Sequence, residues 1–156
     1  MAVPFSRSLL VSLTAFVLAG AGVACSDTTA PSIEKTEFAT SLGVDLAAST
    51  KTPSGLYYRD ILVGTGATAA KGDTATLQYS LYNVNGSRLE TGSFSFTLGA
   101  GDVIPGFDEG VTGMKVGGQR QLIIPPHLGY GNRWSGNGTI PPNSILVFDV
   151  QLQGLK

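Results

Sequence analysis

A proline-led segment near the middle of the chain constrains the fold more than any other part of the sequence. Residues 103–113 read Val-Ile-Pro-Gly-Phe-Asp-Glu-Gly-Val-Thr-Gly. Pro105 suits the first turn of a helix, because its φ is already helical and it has no N–H to leave unpaired. Asp108 and Glu109 follow where the helix dipole favours carboxylates, and Gly113 can take the left-handed conformation that ends a helix. The segment predicts one short helix of about two turns, too short to be stable alone.

The helix has one apolar face, formed by Ile104, Phe107 and Val111 at helical spacing, so it must pack on other structure. The flanking segments alternate apolar and polar residues, which is typical of antiparallel strands with one solvated face. Strand-like segments cover residues 56–63, 73–82, 87–90, 94–98, 119–124 and 145–152. Asn85-Gly86 between two of them predicts a tight hairpin. The predicted fold is α+β, a twisted antiparallel sheet of about five strands wrapped around one short helix.

Composition and charge exclude several classes of function. The chain has 156 residues, a formal net charge of −1, and one cysteine. There is no basic run and no array of aromatic and basic residues, so we expect no nucleic-acid partner. No spacing of Cys and His residues indicates a metal site, and one cysteine cannot form an internal disulfide. The 21 glycines and the low charged fraction of 13% favour a compact β-rich domain with many turns.

The first residues have the layout of a secretory signal peptide, predicted to span residues 1–24. Arg7 precedes an uncharged apolar stretch at 9–18 and a run of small residues at 19–24. Gly22-Val-Ala-Cys25 resembles the box at which bacterial lipoproteins are cleaved and lipidated, although Gly22 stands where such boxes usually carry Leu. We expect a protein exported to the cell envelope and held by a lipid on Cys25 to a bacterial membrane, facing the periplasm or the exterior. Simple secretion is the alternative.

Residues 25–52 are rich in Ser, Thr, Ala and Asp, which predicts a flexible tether. Its apolar exceptions are Phe38, Leu42, Val44 and Leu46. They form either an arm that docks on the domain or a semi-ordered segment. The folded domain itself is predicted at residues 53–156.

The presumed domain resembles the FKBP-type peptidyl-prolyl cis–trans isomerases over its whole length. Any single piece of the resemblance is weak, but seven occur in the family's order. They are Tyr79, Phe94-x-Phe-x-Leu-Gly99, Val103-Ile-x-Gly-Phe-x-Glu-Gly110, Met114-x-Val-Gly117, Tyr130-Gly131, Ile140-Pro-Pro142 and Leu146-Val-Phe-Asp-Val150. The resemblance implies a pocket between a concave sheet and the helix that grips a prolyl ring.

The family's functional residues carry over to positions in this sequence. Catalytic roles are implied for Tyr79, Ile104, Phe107, Tyr130 and Phe148, and substrate contacts for Leu89, Glu90, Phe94, Val103 and Ile140. The N–H of Ile104 and the hydroxyl of Tyr130 are the implied donors to substrate carbonyl groups. His127, the chain's one histidine, is expected on a solvent-facing loop with no catalytic role.

The implied reaction is rotation about an X–Pro bond, for which no nucleophile, metal or cofactor is required. A dry pocket that favours the twisted amide over both planar forms supplies the catalysis. The implied ligands are proline-containing polypeptides and macrolides of the rapamycin type, and we expect a monomer. The alternative is an FKBP-like module that binds proline-containing segments, or acts as a chaperone, with little turnover.

The sequence departs from the family pattern at the rim and floor of the implied pocket. Leu89 and Glu90 stand where the family usually has Phe followed by Asp, and Phe107 stands where Trp is more common. The loop expected between Glu90 and Phe94 is shorter than in many members. These departures predict measurable isomerase activity with macrolide affinity reduced by more than turnover.

Overall fold

The computed structural model describes residues 30–156, so the predicted signal peptide at 1–24 and the predicted lipidation site at Cys25 lie outside the described residues. The elements are strands β1 (Thr50–Lys51), β2 (Tyr57–Leu62), β3 (Thr74–Asn83), β4 (Arg88–Thr97), β5 (Gln119–Ile124) and β6 (Leu146–Leu155), and helix α1 (Pro105–Val111). Short 3₁₀ turns occupy Ile33–Lys35, Thr40–Leu42, Pro126–Leu128 and Gly136–Gly138. No helix in the described part is long and apolar enough to cross a bilayer.

All six strands form one antiparallel sheet in the order β1-β2-β5-β6-β3-β4, and α1 packs on one face of it. The predicted α+β fold is confirmed, with six strands rather than about five because β1 adds to the edge of β2. The expectation of a loop between Glu90 and Phe94 is wrong. Thr91, Gly92 and Ser93 pair with Ser80, Tyr79 and Gln78, so β4 runs unbroken past them. Their lack of large apolar side chains hid a strand that its backbone pairing holds together.

Helix α1 begins and ends where its sequence predicts. Pro105 is its first residue, and Gly113 adopts a φ of 81° just beyond its end. Two glycines let it approach the sheet closely. A Cβ on Gly106 would lie 2.5 Å from Ile124 Cγ2, and one on Gly110 would lie 2.6 Å from Leu122 Cδ1. This close packing on β5 fixes the position of the whole helix.

The main core lies between α1 and the inner face of the sheet. Its members include fully buried apolar residues of β3, β5, β6 and α1, among them Leu77, Leu81, Val111, Leu122, Leu146 and Leu152. Buried Arg120 joins the sheet to the end of the helix. Its Nε lies 2.7 Å from Asp60 Oδ1 and its Nη1 donates to the Gly110 carbonyl at 3.0 Å. The ion pair and the carbonyl satisfy a guanidinium that would otherwise be costly to bury.

A second apolar cluster covers part of the outer face of the sheet. Ile33, Tyr57, Ile123 and Ile145 are buried there, with Phe38, Val44, Leu46 and Val84 packed against them. Residues 30–52, the described part of the predicted tether, therefore lie on the sheet as a docked arm. The folded unit also extends N-terminal to the boundary predicted at residue 53, because β1 pairs with Tyr57 and Tyr58.

Candidate active site

A cavity of about 520 Å³ opens between α1 and the inner face of the sheet. Its lining comprises Tyr79, Leu81, Glu90, Phe94, Gly101, Asp102, Val103, Ile104, Pro105, Phe107, Tyr130 and Phe148. The structure thus brings together all five residues with implied catalytic roles, and three of the five implied substrate contacts, namely Glu90, Phe94 and Val103.

Two implied substrate contacts lie elsewhere. Ile140 is 2% exposed and belongs to the core rather than to the cavity lining. Leu89 is the extra residue of a bulge between the pairs Leu81–Glu90 and Tyr82–Arg88, and it packs against the edge of the core. A bulge changes where the side chains of a strand point, and it leaves no clear signal in the sequence.

Four lining residues were not expected from the sequence. Leu81 follows Tyr79 by two positions on β3, so strand alternation placed both on one face and could have identified it. Gly101, Asp102 and Pro105 belong to the chain that leads into α1. They line the cavity because that segment crosses its mouth, which only the tertiary structure reveals.

Aromatic rings form the floor and one wall of the cavity. The Phe107 and Phe148 centroids are 5.1 Å apart at an interplanar angle of 68°, and those of Tyr79 and Phe94 are 5.4 Å apart at 89°. These edge-to-face contacts hold the rings in fixed positions. Phe107 comes from the first turn of α1, while the others come from β3, β4 and β6, so the packing of helix on sheet assembles the floor.

Tyr79 and Glu90 form a hydrogen bond at the rim. The Tyr79 hydroxyl donates to Glu90 Oε1 at 2.5 Å across the β3–β4 pair. Burial raises the pKa of Tyr79 to about 12, and the bond to Glu90 adds to that rise. Gly92 lies opposite Tyr79, and a Cβ there would be in van der Waals contact with the ring, 3.4 Å from Tyr79 Cε1. The phenol is therefore neutral at physiological pH, and its proton is already donated to the Glu90 carboxylate.

Two other donors at the cavity have no protein partner. Within residues 30–156, neither the Ile104 N–H nor the Tyr130 hydroxyl donates a hydrogen bond to another group of the chain. Ile104 is held in place because its carbonyl caps α1, accepting from the Phe107 N–H at 3.0 Å. The loop before it is fixed by the Asp108 carboxylate, which accepts from the Gly99 N–H at 2.9 Å. The cavity therefore offers apolar walls and two free donors.

The described residues show no cluster of His, Cys, Asp or Glu suited to a metal ion. His127 is exposed, as expected, and lies outside the cavity lining. Its Nε2 is 2.9 Å from the Ser54 carbonyl oxygen, a contact between two loops.

Comparison with known families shows which family the chain belongs to. A model of the FKBP-type peptidyl-prolyl cis-trans isomerase family matches residues 66–153, more than half of the chain. The chain belongs to this family.

Individual relatives agree with the family match. An FK506-binding protein of Streptomyces anulatus is 42% identical over 111 residues, which are 64% of this chain and 86% of the relative. The crystal structure of AtFKBP13 is 36% identical with a TM-score of 0.64, over 69% of this chain and 98% of that one. FK506-binding protein 4 of Neurospora crassa is 44% identical over 113 residues, 70% of this chain. This chain spans only 24% of the length of that fungal relative.

Proposed function

We propose that this protein accelerates rotation about X–Pro bonds in exported or envelope polypeptides. The observation that carries the proposal is the aromatic cavity with two unpartnered donors beside it. Its floor of Phe107 and Phe148 is 2% and 5% exposed, so the lower part of the cavity excludes water. The free N–H of Ile104 and the hydroxyl of Tyr130 stand at the same cavity.

Rotation about an X–Pro bond crosses a barrier of about 18–20 kcal/mol, because the resonance of the planar amide must be broken. The twisted amide is less polar than the planar one, so a dry aromatic floor binds it better than either ground state. Each ~1.4 kcal/mol of that difference raises the rate about tenfold. No bond is made or cut, and binding alone supplies the catalysis.

The residues that line the cavity have different roles in binding the substrate. The prolyl ring packs against Phe107 and Phe148, with Tyr79 as a wall held in position by Glu90. The Ile104 N–H and the Tyr130 hydroxyl donate to carbonyl groups of the bound peptide and orient it. Because the proton of the Tyr79 hydroxyl is committed to Glu90, Tyr79 positions the substrate rather than donating to it.

A protease-coupled proline-peptide assay tests the proposal. We expect the wild-type protein to accelerate isomerisation and Phe148→Ala to abolish the acceleration. Phe38→Ala is the matched control, since it removes the same ring from the arm on the opposite face of the sheet. Full activity in Phe148→Ala, or equal loss in both variants at equal folded fraction, would show that the cavity is not the active site.

We also propose export and anchoring through a lipid on Cys25, which the signal-like residues 1–24 and the lone cysteine at their end support. The wild-type protein should partition with membranes. Cys25→Ser should release it or leave the precursor uncleaved. A wholly soluble wild-type protein with an unmodified thiol would refute the anchor.

We propose that the protein acts as a monomer. Macrolides of the rapamycin type are a second proposed class of ligand. The aromatic floor and the two donors suit the pipecolyl-like ring and carbonyl groups of such ligands as well as they suit proline. Macrolides contact more of the rim than a prolyl peptide does, so the departure at Glu90, which lies in the cavity lining, affects macrolides more. Titration with rapamycin and inhibition of the isomerase assay test this.

A further inference from the structure

The outer face of the sheet carries a second cavity, of about 390 Å³, on the opposite side from the aromatic one. A row of polar residues crosses the sheet there, because Arg59 pairs with Gln121, Gln121 with Asp149, and Asp149 with Ser80. A neighbouring row is made of glutamines, Gln119, Gln151 and Gln78. The docked arm passes beside these rows at Leu42 and Gly43, which also line the cavity.

Two polar atoms in this cavity are buried without a partner in the described residues, Gln121 Oε1 and Arg59 Nε. Gln121 is 4% exposed. Its amide orientation is fixed, because Nε2 donates to the Leu42 carbonyl at 2.8 Å and to Asp149 Oδ1 at 3.1 Å, both of which can only accept. One free acceptor and one free donor thus stand on neighbouring strands. Leaving such buried atoms unpaired is unfavourable, because each has lost its hydrogen bonds to water.

The same cavity reaches an open edge of the sheet. β1 covers only Tyr57 and Tyr58, so no described strand lies beyond Arg59–Leu62 on the side away from β5. Ile61 is a bulge residue without a partner in β5. Ile61, Leu62 and Val63 are 53%, 53% and 65% exposed, a run of three large apolar side chains at an edge that proteins usually protect with charge.

A smaller cavity lies on the inner side of this edge and includes Asp60 and Leu62 in its lining. The outer cavity is lined by Arg59 and Ile61 and the smaller one by Asp60 and Leu62, so this edge lies between two cavities. An extended polypeptide added to an edge presents its side chains alternately to the two faces of the sheet, and so to both cavities.

We propose that this edge and the outer cavity form a second binding site, for an extended segment of another polypeptide that carries amide and apolar side chains and needs no proline. A primary carboxamide supplies both a donor for Gln121 Oε1 and an acceptor for Arg59 Nε. Apolar side chains of the segment cover Ile61 and Leu62. The site lies on the opposite face from the aromatic cavity, so it would hold an unfolded chain without occupying the proposed active site.

A second copy of this chain fits the edge poorly. If Asp60 of an antiparallel second copy pairs with Arg59, Ile61 of that copy must pair with Tyr58. The side of Tyr58 away from β5 is not available, because it already pairs with Thr50. Shifting by one residue brings the Asp60 carboxylates of both copies opposite each other, which is unfavourable. The same edge of a second copy, Arg59-Asp-Ile-Leu-Val63, also carries no carboxamide to pair with Gln121 Oε1 and Arg59 Nε, so the occupant is a segment of different sequence.

NMR titration of the full-length ¹⁵N-labelled protein with the peptide acetyl-Lys-Val-Gln-Val-Gln-Val-Lys-amide tests the site. We expect shifts in the backbone amides of residues 59–63 and in the Gln121 side-chain amide, with none at Tyr130 or Phe148. A peptide N-methylated on alternate backbone amides should not bind, because strand addition needs those N–H groups. No shifts, shifts confined to the aromatic cavity, or equal binding of the N-methylated peptide would overturn the proposal.

Ile61→Ser should weaken binding of the peptide by about tenfold. Trp134→Ser is the matched control, since Trp134 is 64% exposed and lies outside the outer cavity. Both variants should keep the isomerase activity of the wild type, which separates this site from the proposed function. Equal peptide affinity in both variants, or sedimentation showing that the edge is covered by self-association, would refute the site.

Discussion

The Tyr79 hydroxyl and the Glu90 carboxylate are 2.5 Å apart across the β3–β4 pair, at the rim of the aromatic cavity. A glutamate is one methylene longer than the aspartate usual in the family, yet its carboxylate reaches the tyrosine rather than turning to solvent. The bond fixes the tyrosine ring that forms a wall of the cavity. It also links the proton of Tyr79 to the stability of the protein.

Glu90→Gln should lower the pKa of Tyr79 from about 12 towards its ordinary value of 10.0, while burial, the larger cause of the shift, keeps it above that value. Because the folded-state pKa is raised, the wild type should lose stability as pH rises from about 10 to about 12. The variant should lose less over that window. Titration of ¹³Cζ-labelled tyrosines by NMR measures the pKa. Glu37→Gln, the same change on the exposed arm, should leave it unmoved.

Macrolide affinity should respond to position 90 and not to position 89. Glu90→Asp shortens the side chain that reaches Tyr79, so it should change rapamycin affinity, by about 0.5–1.5 kcal/mol if the bond is lost. Leu89→Phe should change it little, because Leu89 lies outside the cavity lining. The double variant should therefore equal the sum of the singles. Calorimetric titration that finds strong coupling would place Leu89 at the ligand after all.

The fold could be predicted because its signals are local, whereas the cavity residues were implied by the family resemblance. Pro105 and Gly113 mark the two ends of α1, and strand alternation at Tyr79 and Phe148 marks inward-facing residues. The bulge that keeps Leu89 out of the cavity lining has no such signal, because its geometry depends on pairing with β3. The continuous β4 was missed for the same reason. Ile140 lies in the core rather than in the cavity lining, and a buried isoleucine and a pocket isoleucine look alike in sequence.

The docking of the arm could not be decided from sequence, since four apolar residues in a polar stretch fit either outcome. The structure shows why it docks. Gln121 and Arg59 donate to the Leu42 and Gly43 carbonyls at 2.8 and 2.7 Å, and Ile33 inserts into the outer cluster. Long-range contacts of this kind leave no local pattern.

Deleting residues 1–52 should weaken the domain without unfolding it. The deletion exposes Ile123 and Ile145 and removes β1, whereas the main core between α1 and the sheet remains. Exposing a buried large apolar side chain costs about 1.5–3 kcal/mol, so we expect a loss of about 3–6 kcal/mol in the free energy of unfolding. Urea denaturation measures it. A truncated domain as stable as the full chain would show that the arm contributes nothing, and an unfolded one would make it part of the essential core.

Glu34 joins the arm to β1 and β2 by accepting from Lys51 Nζ at 2.5 Å and from the Tyr57 hydroxyl at 2.7 Å. The bond from Lys51 is the main cause that holds the pKa of Glu34 well below its usual 4.5. A lowered carboxylate pKa stabilises the fold above pH 4.5, and that stability is lost as pH falls below it. Because the Lys51–Glu34 pair is half-exposed, Glu34→Gln should cost under about 1 kcal/mol at neutral pH. Urea titrations should show this difference shrinking with acid. A difference that stays constant with pH would contradict the assignment.

The final prediction concerns the contact between Gly110 and Leu122, which positions α1 on the sheet. Gly110→Ala adds a Cβ at 2.6 Å from both Leu122 Cδ atoms, which are buried. Alanine is a better helix former than glycine by about 0.5–1 kcal/mol, but overpacking costs about 1–3 kcal/mol, so the variant should be destabilised. Because Phe107 and Ile104 belong to the same helix segment, the isomerase rate should fall as well.

Leu122→Val provides the matched test, because its shorter side chain makes room for the new methyl group. It should be mildly destabilising alone, while the double variant should recover stability relative to the sum of the singles. If Gly110→Ala stabilises the protein, helix propensity outweighs the contact and α1 has freedom to move off β5. If the stability changes of the two single variants simply add in the double variant, the strain falls on the helix backbone. The position of Phe107 then depends on that backbone rather than on Leu122.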